Sequence, residues 1–307
     1  MVKRKNRLLT DFIREVRHTY SRFLSILLLS ALAVAFLVGL RATAPDMEYT
    51  ADNYYDSHHL MDGYVMSTMG LTQEDLQALA QADGVDQVEG AWSVDATAVD
   101  SIVSMRSMPE NLNLLNVVEG RLPQQADECV TEQMLLTALG LEIGDTLTVT
   151  LDEADQDSLT RTSYTIVGTV QSPLYVGTDR GSTTLGSGSI DAFVYIPGEN
   201  FDLDVYTTAY FTGDGMEALN SYSQAYADQL SALVDSLDPL AQERASLRDE
   251  EVRSEAQKEL DDARQELADA QKELDDAKKK LDDARAELDS GWADYKSGLA
   301  TLEQEIK

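Results

Sequence analysis

The sequence predicts an α+β extracytoplasmic domain carried on one N-terminal transmembrane helix and followed by a long C-terminal coiled-coil helix. Three observations predict it. An uncharged apolar stretch lies near the N-terminus, helical and strand-like patterns mix through the middle, and Leu and Ala recur at heptad spacing toward the C-terminus.

Charge divides along the same lines. The 307 residues carry a formal net charge of −31. Residues 1–22 hold seven basic side chains, Lys3, Arg4 and Lys5 among them, against two acids, Asp11 and Glu15. Residues 41–243 hold five basic residues against 34 acids, and no lysine. Residues 244–307 mix 12 basic with 19 acidic residues. A chain this acidic repels a phosphate backbone, so no nucleic acid is expected as a partner. The single cysteine, Cys129, excludes an intrachain disulfide framework, a four-cysteine zinc site and a CxxC redox centre. It reads as a small buried hydrophobe.

The first element is basic and amphipathic. Leu8, Leu9, Phe12, Ile13 and Val16 recur at helical spacing among Arg and Lys, as in a helix lying on an anionic leaflet. Phe23–Leu40 follows with no charge. As a helix these residues span about 27 Å, close to the roughly 30 Å hydrocarbon core. The basic flank predicts a cytoplasmic N-terminus in the cell membrane, with the bulk of the chain, from residue 46 on, outside. A competing reading is a signal peptide cleaved near Ala42-Thr43-Ala44, but its apolar region would be only about 7–15 residues long.

Residues 46–237 read as the folded domain. Thr72 and Asp75 form a capping box, Leu71 and Leu76 a hydrophobic staple, and Gly84 is placed to end that helix. The alternation in WSVDATAV (92–99) predicts a strand, and Leu112, Leu114, Val117 and Val118 another. Glu132–Leu139 predicts a short helix closed by Gly140. LTVTL (147–151), YTIVGTVQ (164–171), AFVYIP (192–197) and YTTAYFT (206–212) predict strands rich in β-branched and aromatic residues. The acidic DEADQD (152–157) lacks the Gly and closing Glu of an EF-hand loop and reads as a solvated hairpin tip. GTDRGSTTLGSGSI (177–190) is a loop with no P-loop lysine. Arg180 within it either anchors the loop on a carboxylate or lies on the surface. Met216–Leu237 predicts a helix with Leu and Tyr every three or four residues.

The tail is expected to start at Asp238-Pro239, an N-cap followed by Pro at N1, and to run as a coiled coil over 239–307. Leu260, Leu267, Leu274, Leu281 and Leu288 occupy one core position, and Ala263, Ala270, Ala277 and Ala284 the other. The period of seven predicts a left-handed supercoil. Small residues at one core position suit a tight antiparallel pair. The expected partner is a returning helix beyond residue 307, which would make this chain the N-terminal part of a longer one; a homodimer through the seam competes with it.

This order of elements, with RFLSILLLSALAVAFLVGLRATAPDM (22–47), GLTQEDLQAL (70–79), EGRLPQQADECV (119–130), YTIVGTVQSPLY (164–175) and RGSTTLGSGSIDAFVYIP (180–197), resembles the N-terminal part of FtsX-like ABC-transporter permeases. Their ectodomain is of the MacB-like periplasmic core type. The resemblance implies a permease subunit for export or mechanotransmission, with ATP hydrolysis on a separate cytoplasmic ATPase subunit. It also implies the remaining permease core, or a second copy, as a partner. The alternative is a membrane-anchored homodimeric coiled-coil spacer presenting an extracellular binding domain.

No enzyme is expected. GxxxxGK[ST], HExxH and GxSxG are absent. No catalytic, cofactor or metal site is assigned, and no cofactor is expected. His58 and His59 are adjacent and would not share a helix face, so they read as a polar turn near the membrane.

Overall fold

The computed structural model describes residues 7–305. The chain divides into two compact units, Met1–Leu240 and Ala241–Lys307. Lys3, Arg4 and Lys5 of the basic head lie outside the described residues.

The first unit opens with helix α1 (Arg7–His18), on which Leu9, Phe12 and Ile13 are exposed. Helix α2 (Tyr20–Ser57) contains the apolar stretch 23–40, and none of its residues is buried. It does not stop at the expected domain start. Pro45 lies inside it, and the helix continues to Ser57. Proline removes one helical hydrogen bond and crowds the carbonyl four residues back. Here packing outweighs that cost: beyond Pro45, Ala51, Asp52, Tyr54 and Tyr55 turn half-buried against the domain. The boundary at residue 46 therefore falls within one continuous helix.

Ten strands follow. Strands β1 (Gly63–Leu71), β2 (Val85–Ala91) and β10 (Tyr206–Gly213) form a small antiparallel sheet in the order β1-β10-β2. Helix α3 (Gln73–Ala80) lies between β1 and β2 in sequence and starts as the capping box requires. Thr72 Oγ1 accepts from Asp75 N at 3.3 Å, and Asp75 Oδ2 accepts from Thr72 N at 2.7 Å. The helix ends on Gln81, three residues before Gly84, and Gly84 (φ 86°) instead makes the turn into β2. Leu71, Leu76 and Leu79 pack with Phe211, Leu233 and Leu237 in the core of this lobe.

The second sheet has seven strands. Its path is β3 (Ser93–Ala98), β4 (Ser101–Ser107), β9 (Ala192–Ile196), β6 (Glu128–Thr131), β8 (Ser163–Gln171) and β5 (Asn116–Gly120), with β7 (Thr146–Thr148) also paired to β8. The β4–β9 and β6–β8 pairs are parallel and the others antiparallel. Helix α4 (Gln133–Leu139) follows β6, and Gly140 caps it in the left-handed region at φ 66°. Leu135, Leu136, Val103, Ile166, Val194 and Ile196 fill the core. Cys129 is fully buried among them, and burial pushes its thiol up to about 12. This mixture of segregated helices and mostly antiparallel strands is the expected α+β class.

The last helix corrects two expectations. Residues Met216–Ala218 form a 3₁₀ turn, and α5 runs from Gln224 to Glu305 without a break at Asp238-Pro239. Its N-cap is Ser223, whose Oγ accepts from Tyr226 N at 3.1 Å. An Asp-Pro pair marks a helix start only when the preceding turn is free to leave the helix. Here Leu233 and Leu237 hold that turn in the core of the small lobe. Residues 241–305 of this helix make up the described part of the second unit.

Candidate functional site

The sequence points to no catalytic constellation, and none of the described residues forms a cluster able to hold a metal ion. What the first unit does assemble is a joint. It ties the extension of α2 to the segment from which α5 starts.

Asp52 is its centre. Its position, past the apolar stretch and on the half-buried side of α2, turns the carboxylate toward residues 220–221. One oxygen accepts from Ser221 N at 2.7 Å and Ser221 Oγ at 2.8 Å; the other accepts from Asn220 Nδ2 at 2.9 Å. One turn along, the Tyr55 and Tyr222 hydroxyls meet at 3.3 Å, their rings stacked with centroids 6.4 Å apart. That hydrogen bond, with burial, pushes the Tyr55 hydroxyl up to about 12. Asp62, just after α2, completes the joint: Tyr226 Oη, on the first turn of α5, donates to one oxygen at 2.6 Å and Gly213 N to the other at 2.8 Å. Burial and this bond raise the Tyr226 pKa. Asp52, Tyr55 and Asp62 carry no local signal of this pairing, because their partners lie 169, 167 and 164 residues away in sequence.

The His pair belongs to the same region. The His58 and His59 carbonyls accept from Leu114 N and Asn113 N, each at 2.8 Å, and His59 turns the chain at φ 48°. Their backbone thus holds the end of α2 on the loop 111–115.

A second cluster lies under a cleft of about 780 Å³ between α2 and the large sheet. Arg180 Nε donates to Glu132 Oε2 at 2.9 Å, and its Nη2 pairs with Oε1. The side chains are 9% and 12% exposed, so Arg180 is not a surface residue; it anchors the loop 177–190. Its Nη1 also donates to the Gly177 carbonyl. The Tyr175 ring lies 5.4 Å from the Arg180 guanidinium and 5.2 Å from that of Arg106. Arg106, on β4, in turn donates to Tyr210 Oη on β10 at 3.1 Å. This contact crosses from the large sheet to the small one. Stacking of Trp92 on Tyr206 (4.6 Å) and the Ser93–Thr207 hydroxyl pair (3.1 Å) lock the same junction. The two lobes are therefore held together by side-chain contacts across the junction.

A third pair fixes the turn before β6. Arg121 donates to both oxygens of Glu128, which also accepts from Gln124 N at 2.7 Å and Gln125 N at 3.2 Å. The Arg121 guanidinium, helped by these backbone amides, holds the Glu128 carboxyl at about 2. A depressed carboxyl stabilises the fold above its unfolded value near 4.5, and that contribution fades as pH falls through about 2. The expected NMR titration of Glu128 has its midpoint near 2; a midpoint above 4 contradicts the arrangement.

The assigned residues stand apart from these clusters. Phe23 and Leu40 are exposed at the ends of the apolar stretch, which is long and apolar enough to cross a membrane. In the second unit Leu260, Leu267, Leu274, Leu281 and Leu288 are 48–75% exposed, and Ala263, Ala270, Ala277 and Ala284 are exposed with them.

No family model and no curated protein matches the chain. Solved structures similar to it include the extracellular domain of the noncanonic ABC-type transporter YknZ from Gram-positive bacteria. That likeness has 15% identity and a TM-score of 0.31, over 54% of this chain and 85% of that one. The periplasmic region of MacB from Actinobacillus actinomycetemcomitans is similar at 14% identity and a TM-score of 0.29, over 56% of this chain and 75% of that one.

Proposed function

We propose that the chain is the N-terminal portion of an ABC-transporter permease subunit. In this reading it couples ATP-driven motion at the membrane to an extracytoplasmic domain, for export or mechanotransmission. The observation that carries the reading is the joint at Asp52. A helix that leaves the apolar stretch without interruption is bonded directly to residues 220 and 221, just ahead of α5. Displacement of α2 then reaches α5 through three short bonds to one carboxylate. The N-terminus is cytoplasmic in this reading, beside an ATPase subunit, and the chain works with the remaining permease core or a second copy. Residues 23–40 span the membrane, 46–237 form the extracytoplasmic domain and 239–307 supply the coiled coil. The seam takes an antiparallel partner helix.

The test uses the gene product with its permease core and an ATPase subunit, reconstituted together in lipid vesicles. ATP hydrolysis by the assembly is expected, and Ala270→Pro should abolish the transport or signalling output while leaving hydrolysis in place. Proline inside a helix costs about 3 kcal/mol and breaks it locally. Normal output from the proline variant shows that the coiled coil carries no motion, and failure of any ATPase to associate removes the permease reading.

A further inference from the structure

The exposed seam of the second unit carries a partner code in its flanks. With the leucines at a and the alanines at d, the e positions are Arg264, Gln271, Lys278 and Arg285. The g positions are Glu259, Glu266, Glu273, Lys280 and Glu287. One flank is basic, and the other is acidic except at Lys280. These are the positions that set partner choice and orientation in a coiled coil.

Self-pairing can be checked in both directions. In a parallel, in-register pair each g residue faces the following e residue of the other copy. Glu259 then meets Arg264 and Glu273 meets Lys278, and only Lys280 against Arg285 repels. The core of that pair is poor, because Leu stacks on Leu in one layer and Ala on Ala in the next. Leucine layers hold the axes apart, and alanine layers are then left unfilled. In an antiparallel pair a faces d, so every layer sets Leu against Ala at one close spacing. Its flanks are wrong, because e faces e and g faces g, basic on basic and acidic on acidic. Neither self-pairing satisfies core and flanks together. The i,i+3 pair of Arg264 with Asp261 does not change this, since both are more than half exposed and exposed pairs are weak.

We infer that the seam is shaped for a different helix, antiparallel to it, with inverted flanks. That helix presents basic residues opposite Glu259, Glu266, Glu273 and Glu287, and acidic ones opposite Arg264, Lys278, Lys280 and Arg285. Its core repeats the Leu/Ala alternation. Past Leu288 the code changes: Gly291 and Gly298 take the d positions, while Trp292 and Leu299, 58% and 46% exposed, take e. Bulky apolar side chains on the partner fit opposite these glycines. The inference rests on the coiled-coil part of the function proposed above and specifies the partner's chemistry. Its test involves neither ATPase nor transport, so the two can fail separately.

The experiment uses the full chain in detergent and two synthetic Leu/Ala helices of about five heptads. One carries acidic e and basic g flanks; the other has these flanks exchanged. Single labels at Ser254→Cys or Ser297→Cys report orientation by energy transfer, since Cys129 is buried. The chain alone is expected to sediment as a monomer. The first peptide should bind at least about tenfold more tightly than the second, with its N-terminus near position 297. Dimerisation of the chain through the seam, equal affinity for both peptides, parallel binding, or no binding by either peptide overturns the inference. Leu274→Asp in the chain separates seam dimerisation from association elsewhere.

Discussion

Replacing Arg180 with Met is expected to destabilise the first unit by about 3–5 kcal/mol, the usual cost of removing one partner of a buried ion pair. The charge left behind is the reason. Glu132 is 12% exposed and sits at the N-cap of α4, where its carboxylate has Arg180 as its cation. Without that partner it must either stay ionised in a nearly closed site or take up a proton. Loss of Arg180 also frees the loop 177–190, which it holds through the Gly177 carbonyl. Replacing both residues, Arg180→Met with Glu132→Met, should recover much of the loss, because an apolar pair of similar volume often matches a buried ion pair. Urea unfolding of the chain in detergent, followed by tryptophan fluorescence, reads both variants. A single variant within about 1 kcal/mol of the parent would show that the pair is solvated in practice.

The same pair shows what sequence can and cannot reveal. The strands over 164–171, 192–197 and 206–212 and the helix after Thr72 were legible, because alternation and a capping box are local signals. The helix that carries Leu260 to Leu288 was legible for the same reason. Arg180 was not, because Glu132 lies 48 residues away and nothing local joins them. Asp52 was hidden among 34 acids, and its donors at 220 and 221 lie 168 and 169 residues away in sequence. Pro239 misled in the opposite sense. It is a sound local marker of a helix start, and the packing of the adjacent turn through Leu233 and Leu237 keeps the helix continuous. Long-range pairing selects which local signals count.

Replacing Asp52 with Ala is expected to uncouple α2 from the start of α5 while leaving both sheets folded. Three donors lose one charged acceptor, and hydrogen bonds to charged groups are worth about 1.5–3 kcal/mol each. The residue is half-buried and the freed donors can reach water, so the local loss should be about 3–4 kcal/mol. Asp52→Asn keeps the size but weakens the acceptor, and should fall between parent and Ala. Hydrogen exchange separates local from global effects. The Ser221 amide should exchange much faster in Asp52→Ala, while amides in β8 and β9 keep their protection. Tyr55→Phe provides a second reading, since it removes only the Tyr222 contact at 3.3 Å and leaves the carboxylate in place. It should open the joint far less. If the Asp52 variant loses protection throughout the domain, Asp52 is a general stability residue and not a coupling one. If neither variant changes exchange at residues 220–222, Asp52 does not hold this segment on α2, and the coupling proposed through it fails.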